Sequence, residues 1–514
     1  MMNREINYLF PADSNKDVLL ENLGSNYKVK NEYHWRGERI YFDTFDWRLY
    51  NKSCFLFSEN NKIYLKSWGK NIQPKYVQIR RIPKFVWQIP DSALRRELEP
   101  ILEVRALISL ATILVDQQKF RILNKIEKTV AYLILENSYL SQGEKTQEII
   151  KLVTLIPVRG FYDHYQNIHN LLKKKKFKEF QANLFENILL IKELTPGTYS
   201  SKVTIQLDPQ MDAAEAVKEI LSSLFNIIRR NEQGILEDID TEFLHDYRVA
   251  VRKTRSAYGQ LGNVFDAKIY ETAKKDFSQL GSWTNRMRDI DVYNLKKNEY
   301  QNMLPNNMKK DIEPFFKNLN QERKIVHKNL VNKLTSQDYK QSIAYWERFL
   351  RKPVTRKSSA IQSKWSILEY ASSIIMKRFK KVIKLGESIT VGSPDELLHK
   401  LRIECKKLRY LLEFFASLFP LQHIVFLIKQ LKILQDNLGD FNDLSVQQQT
   451  LQKFVEKETN KKTLLAVGML IGKLNEKQTR VKEAFDNTFQ QFASPKMRKL
   501  FMKLFSSGNV SDKW

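Results

Sequence analysis

Two short stretches of this chain carry the same chemistry in the same order. His245, Arg248, Arg252, Lys253 and Arg255 stand as H-x-x-R-x-x-x-R-K-x-R, and His399, Arg402, Lys406, Lys407 and Arg409 stand as H-x-x-R-x-x-x-K-K-x-R, 154 residues further on (399 − 245 = 154). None of these side chains is a nucleophile paired with a base, and none forms a metal-ligand set. Their common property is positive charge with hydrogen-bond donors. Arginine presents a planar fork that donates two parallel bonds to phosphate, and lysine adds a compact point charge. The chemistry on offer is the grip of an anion, and of a long one. On a helix the run from histidine to the last arginine covers about 15 Å.

A helix is what the spacing requires. At 100° per residue His245, Arg248, Arg252 and Arg255 share one narrow arc, while Leu244, Tyr247, Val251 and Tyr258 gather on a neighbouring face. The second copy behaves alike, with Leu398, Leu401, Cys405 and Leu412 on its apolar face. Each stripe begins near a helix start, where the dipole adds positive potential. Asp240 is placed to cap the first helix, and Ser393-Pro394-Asp395-Glu396 has the form of a capping box with proline at the first helical position.

A single basic helix face is usually only solvated, and a histidine near a cap is usually a structural hydrogen-bonding group. Repetition changes that expectation. The offset persists without an insertion: Phe265 matches Phe419, Lys275 matches Lys429, Leu280 matches Leu434, Asp289 matches Asp443 and Val292 matches Val446. One helical unit has been duplicated, and two such stripes can face each other across a pseudo-twofold axis to make one basic channel. So many cations repel one another unless an anion lies between them.

The whole chain agrees in sign. It has 514 residues with 85 Lys+Arg against 58 Asp+Glu, a formal net charge of +27. Residues 211–514 hold 53 basic and 35 acidic residues, so both parts are basic. The excess predicts attraction to nucleic acid, an anionic membrane surface or a phosphate polymer, without choosing among them. Cys54 and Cys405 are the two cysteines and lack the spacing of a metal site, which suits a reduced, cytoplasmic setting. No apolar core follows Met1-Met2-Asn3-Arg4-Glu5, so a signal peptide is not expected, and no run of about 18 apolar residues predicts a membrane span.

Two domains are expected, 1–205 and 213–510. The first reads as α+β, with strand signals at Ile40-Tyr41-Phe42 before a turn at Asp43-Thr44, at Ile63–Lys66, at Thr129–Leu135 and at Val203-Thr204-Ile205. Helices are predicted over Ser92–Val115 and Tyr162–Phe180. After Asp208-Pro209 the texture turns helical, as in Leu221, Leu224 and Ile228 or Leu427, Leu431, Leu434 and Leu438, with the two copies at about 213–350 and 360–510. Trp283 and Trp346 are expected in the core.

Residues 213–510 resemble a CHAD domain. The resemblance rests on the two histidine–arginine signatures and on Arg286-Met287-Arg288-Asp289-Ile290-Asp291-Val292. It implies an all-α domain of two duplicated four-helix bundles with a basic channel between them, binding inorganic polyphosphate and in many cases associating with polyphosphate granules. By that resemblance His245, Arg248, Arg252, Lys253, Arg255, His399, Arg402, Lys406, Lys407 and Arg409 are the polyanion contacts. Arg286 and Arg288 join them with less support, since the second copy has Asp440 and Asn442 there. Asp289 and Asp443 are expected to orient arginines.

The first domain resembles a degenerate CYTH domain, an antiparallel β tunnel that hydrolyses triphosphate with metal ions. Tyr41-Phe42-Asp43-Thr44 fits that family's Y-x-D-T, and Val158-Arg159-Gly160-Phe161 resembles a late segment of it. The family's E-x-E-x-K is here Glu5-Ile6-Asn7-Tyr8-Leu9. An amide brings no charge to a metal and leucine cannot neutralise phosphate, so weak or absent activity is expected. Glu97, Glu99, Glu127 and Glu136 are read as exposed surface charge, and Lys173–Lys178 as a solvated basic run.

Three functions are therefore open. The first is polyphosphate binding without cofactor or catalysis. The second is a triphosphatase or polyphosphatase using Mg²⁺ or Mn²⁺ in the first domain. The third is nucleic-acid binding, for which the charge fits but no recognition helix or stacking series is seen.

Overall fold

A computed structural model of the chain describes residues 5–11, 14–68, 75–142, 145–180, 184–354, 365–390 and 392–506. Residues 1–4, on which part of the signal-peptide expectation rests, and 507–510, the end of the predicted helical domain, lie outside the described residues. The chain forms two compact units, Met1–Ser200 and Ser201–Trp514.

The first unit is a nine-stranded antiparallel sheet, consistent with a CYTH-like tunnel. Its elements are β1 (Ile6–Leu9), α1 (Lys16–Gly24), β2 (Lys28–Asp43), β3 (Cys54–Glu59), β4 (Lys62–Ser67), β5 (Lys75–Gln78), α2 (Ala93–Leu102), β6 (Ile108–Leu123), β7 (Thr129–Gln142), β8 (Lys145–Pro157), α3 (Tyr162–Lys174), β9 (Lys178–Glu179) and α4 (Leu184–Ile191). The strand order is β5-β4-β3-β2-β6-β7-β8-β1-β9. Side-chain alternation gives the sheet two differently used faces. On one, Ile40, Phe42, Leu56 and Ile63 pack with α2, and Phe120, Ile122, Leu133 and Val153 pack with α1 and α3. On the other, Tyr41, Phe55, Phe57, Ile113 and Val115 pack with Phe185, Ile188 and Leu189 of α4.

Two expectations fail in this unit and a third just beyond its end. The helix predicted over Ser92–Val115 stops at Leu102. Glu103 takes a left-handed φ of 50°, and the following run, rich in β-branched residues, pairs with β2. The helix predicted to Phe180 stops at Lys174. Lys176 turns the chain at φ 64°, and Lys178–Glu179 pair with β1. Val203-Thr204-Ile205 joins no strand.

The second unit is all-helical: α5 (Ala213–Leu236), α6 (Thr241–Leu261), α7 (Ala267–Leu295), α8 (Lys297–Met303), α9 (Glu313–Leu334), α10 (Gln337–Arg351), α11 (Ile367–Glu387), α12 (Asp395–Phe414), α13 (Leu421–Val455), α14 (Lys461–Glu483), α15 (Phe485–Phe492) and α16 (Pro495–Phe505). Among the described residues no helix is long and apolar enough to cross a membrane. The duplication is visible in element starts: 213 and 367, 241 and 395, 267 and 421, each a step of 154 (367 − 213 = 154). In the first copy α6 packs between α5 and α7, and α9 closes on α7 and α5. In the second α12 packs between α11 and α13, with α14 on α13. The copies diverge after the third helix. The chain breaks at Lys296 between α7 and α8, whereas α13 runs unbroken for 35 residues.

Both stripe helices bury the apolar faces the spacing predicts. Leu244, Tyr247, Val251 and Tyr258 are 0–3% exposed, as are Leu398, Leu401, Cys405 and Leu412. Trp346 is core at 1% exposure, but Trp283 is only half-buried. It packs beside Tyr339 while Lys333 lies over its ring, so it shields a helix edge instead of filling the interior. Asp240 caps α6 by accepting from the backbone amides of Glu242 and Phe243. The capping box expected at α12 does not form. Pro394 is itself the cap residue, and Ser393 Oγ accepts from Thr390 instead, closing the preceding loop.

Candidate functional site: a cationic cluster shared by the two copies

The stripe helices α6 and α12 pack against each other, and each contributes cations to the seam. Lys253 is buried and crosses between the copies. Its ammonium lies 2.8 Å from Glu413, and it also faces the Tyr410 ring at 5.9 Å. Gln260 donates to the carbonyl of Lys407 at 3.3 Å, a second tie from α6 to α12. Glu413 also pairs with Arg409 at 3.2 Å, and the Arg409 guanidinium lies 5.7 Å from the Tyr410 ring centre. This carboxylate was not expected from sequence. Its one signal there is its position four residues after Arg409, a helical ion-pair spacing.

The remaining stripe residues divide by what neutralises them. Arg248 donates to Thr284 Oγ1 at 2.8 Å and Asn285 Oδ1 at 2.9 Å, both neutral acceptors on α7. Burial pushes its pKa down to about 10. Asp289 opposes this, while Arg252 and Arg288 push the same way. Arg252 and Arg255 are exposed, and among the described residues neither has an ion-pair partner. His245 is half-buried on the same helix.

On the second helix, His399 Nδ1 meets Asn442 Oδ1 at 2.8 Å and Arg402 pairs with Asp443 at 3.2 Å. Arg402 Nε is buried without a partner. Burial lowers the Arg402 pKa, Asp443 opposes that, and Arg252 of the other copy adds to it. Lys406 has no carboxylate partner among the described residues. Burial, followed by Arg402 and Arg252, pushes its amine down to about 7, with Arg409 acting the same way and Asp443 opposing. Arg252 is thus near enough to depress both Arg402 and Lys406 across the seam.

Three predicted contacts are engaged elsewhere. Lys407 pairs with Glu404 at 3.0 Å, which also holds Arg378 and Lys381. Arg286 makes a two-pronged pair with Glu322. Arg288 is mostly buried, with Glu242 3.9 Å away and Nη1 lacking a hydrogen bond. A separate open groove of about 600 Å³, lined by Lys297, Glu313, Phe316, Lys317 and Lys324, contains no stripe residue.

Residues 219–452 match the sequence model of the CHAD domain family. The second unit of this chain contains a CHAD domain. Among solved structures, the CHAD domain of the plant Ricinus communis is 23% identical, with 57% of this chain and 95% of that chain covered and a TM-score of 0.48. PptA from Streptomyces chartreusis is 12% identical, with 55% and 100% covered and a TM-score of 0.44. No curated protein matches the chain. The seam between α6 and α12 therefore lies inside the CHAD domain, and the family match ends at residue 452, near the end of α13.

In the first unit the residues do not fit the metal and triphosphate of a CYTH tunnel. Glu5 pairs with Lys66 at 3.4 Å, and Asn7 Oδ1 accepts from Thr154 at 2.8 Å. The Asp43 carboxylate accepts from the backbone amides of Thr44, Leu49 and Tyr50, so the Y-x-D-T segment serves as a turn lock. Among the described residues no group of three or more His, Cys, Asp or Glu is disposed to hold a metal. Glu97, Glu99 and Glu127 pair with Lys75, Arg95 and Lys28 at the surface. Glu136 corrects the expectation of surface charge. It is 8% exposed and grips Arg39 with both oxygens, at 2.8 and 2.9 Å. Arg39 also donates to Glu59 at 2.6 Å, and Gln117 donates to Glu136 at 2.8 Å. Facing pairs of long strands put these distant residues side by side, so sequence spacing could not find the cluster.

Proposed function

We propose that the CHAD domain of this protein binds inorganic polyphosphate along the seam between α6 and α12, and that this binding directs the chain to polyphosphate granules. One observation carries the reading. Lys253 and Gln260 tie α6 to α12, the charge of Arg252 in the first copy acts on Arg402 and Lys406 of the second, and neither Arg252 nor Lys406 has a carboxylate partner among the described residues. A folded protein holds like charges together at a cost, and a bound linear polyanion removes that cost by replacing the lost hydration with fixed pairing. Arg248, Arg252, Arg255, Arg402, Lys406 and Arg409 are the proposed contacts, with His245 and His399 at the ends of the track. Lys253 and Lys407 hold the scaffold through Glu413 and Glu404, and Arg286 and Arg288 serve at its edge.

The test is retention of long-chain polyphosphate by the whole chain. Arg248→Glu combined with Arg402→Glu should abolish it, and binding by the native chain should weaken steeply with added salt, as counterion release demands. Unchanged retention by the double variant sinks the reading. Single- or double-stranded nucleic acid outcompeting polyphosphate at physiological salt replaces it. Phosphate release from triphosphate with Mg²⁺ or Mn²⁺, lost in Glu5→Gln, would assign the protein a hydrolase activity in its first unit.

A further inference from the structure

The first unit carries a group of exposed side chains that its sheet does not use. From Lys75 to Arg96 the chain has six cations and one carboxylate, Asp91. Asp91 is already paired with Arg96 at 3.2 Å. Arg80 and Arg81 are exposed and have no ion-pair partner among the described residues. Lys84 lies over the Phe85 ring, 5.5 Å from its centre. Among these cations stand two large apolar side chains, Ile82 at 50% and Trp87 at 48% exposure. The rings of Phe85 and Trp87 stack face to face, 4.5 Å apart and 5° from parallel. A single exposed apolar side chain is ordinary on a protein surface. Cations and apolar groups interleaved in one short loop are a different composition.

The loop is fastened from beneath. Gln88 Oε1 accepts from the backbone amides of Lys84 at 2.7 Å and Phe85 at 3.2 Å, and the Leu107 amide donates to the Lys84 carbonyl at 2.8 Å. Val86 and Ile89 are 3% and 1% exposed and pack with Leu94 and Leu98 of α2. Pro83 is buried as well. Pinning Pro83, Val86 and Ile89 inward leaves Ile82 and Trp87 outward, held by the backbone instead of by a packing partner of the core.

We propose that residues 80–87 attach the first unit to the surface of an anionic lipid bilayer. Such a surface offers negative headgroups, then an amphipathic zone that favours tryptophan, then acyl chains. Arg80, Arg81 and Lys84 match the headgroups, Trp87 the amphipathic zone and Ile82 the outermost acyl carbons. So short a loop cannot cross a hydrocarbon core of about 30 Å, so the attachment is peripheral. Single-stranded nucleic acid fits less well. Phe85 covers one face of Trp87 and leaves one face for a base, and base stacking has no use for Ile82. The inference concerns the first unit alone and does not rest on the polyphosphate reading.

The experiment measures partition of the whole chain onto vesicles of phosphatidylcholine containing about one-third phosphatidylserine. A chain of formal net charge +27 adsorbs to such vesicles by charge alone, so the decisive variant leaves the charge untouched. Ile82→Ser combined with Trp87→Ser should lower partition on the order of tenfold, with the thermal unfolding midpoint unchanged because neither side chain is in the core. Arg80→Ala combined with Arg81→Ala should cost about as much at low salt and much less at high salt. Lipids brominated near the headgroup should quench part of the tryptophan emission, and that part should vanish in Trp87→Phe. Undiminished partition by the Ile82 and Trp87 double variant, or quenching that persists in Trp87→Phe, overturns the proposal. So does a double variant that keeps its hold on vesicles but loses single-stranded nucleic acid, which would make the loop a base-stacking site.

Discussion

The two copies of the helical repeat begin their helices at equivalent positions and bury equivalent apolar faces, yet they spend their positive charge differently. In the first copy Arg252 and Arg255 have no ion-pair partner among the described residues, and Arg248 rests on a hydroxyl and an amide. In the second copy Asp443 takes Arg402, Glu413 takes Arg409 and Glu404 takes Lys407, while Lys406 has no carboxylate partner among the described residues. Duplication fixed where the helices go. Differences at neighbouring positions, such as Glu404 and Glu413 where the first copy has Ala250 and Gly259, set how much charge each copy leaves for a ligand. A pseudo-symmetric site need not be energetically symmetric.

The sharpest test of this difference is a pair of single charge reversals. Arg252→Glu should weaken polyphosphate binding by on the order of thirtyfold, because it removes an uncompensated contact and adds repulsion beside Arg402 and Lys406. Arg409→Glu should cost about fivefold, since its charge is already shared with Glu413. Binding titrations at one salt concentration measure both, and equal losses would break the comparison.

Next in size is the tie between the copies. Lys253→Met leaves Glu413 with one cation fewer in a mostly buried place. We expect a loss of about 2 kcal/mol, below the range for a fully buried pair because Glu413 keeps some solvent. Thermal unfolding should show a midpoint several degrees lower. No change would mean that the copies are held together by their apolar contacts alone.

The smallest effect is a pH dependence that belongs to the second copy. A bound polyanion favours protonated Lys406, while in the free protein that amine loses its proton near pH 7. Binding therefore takes up a proton, and affinity should fall as pH rises above 7, by at most about tenfold per unit. Lys406→Arg should flatten the curve. The same lysine affects the fold: between about pH 7 and 10.5 the unfolded chain binds the extra proton, so this contribution to stability rises with pH across that window. A flat binding curve for the native chain would place Lys406 off the polyanion's path.

The helical unit was readable because its signals are local and repeated. A 3.6-residue period marks which side of α6 and α12 is buried, and a constant offset marks the duplication. The sheet unit was less readable. The first half of the strand at Ile108–Leu123 falls inside the helix expected to Val115, because apolar spacing over a short run does not separate the two periods without its partner strand. The burial of Glu136 against Arg39, 97 residues away, had no signal in spacing at all.

Within the site the same division holds. Sequence by itself determined that two amphipathic helices exist, that each carries a basic shoulder, and that the shoulders are related by duplication, since all of this follows from residue type and helical period. Tertiary structure decided which of those cations are free. Neutralisation depends on carboxylates such as Glu413 and Asp443 whose distance is set by packing between helices. The falling off of charge interactions with separation and solvent gives neighbours in space, not neighbours in sequence, the final say.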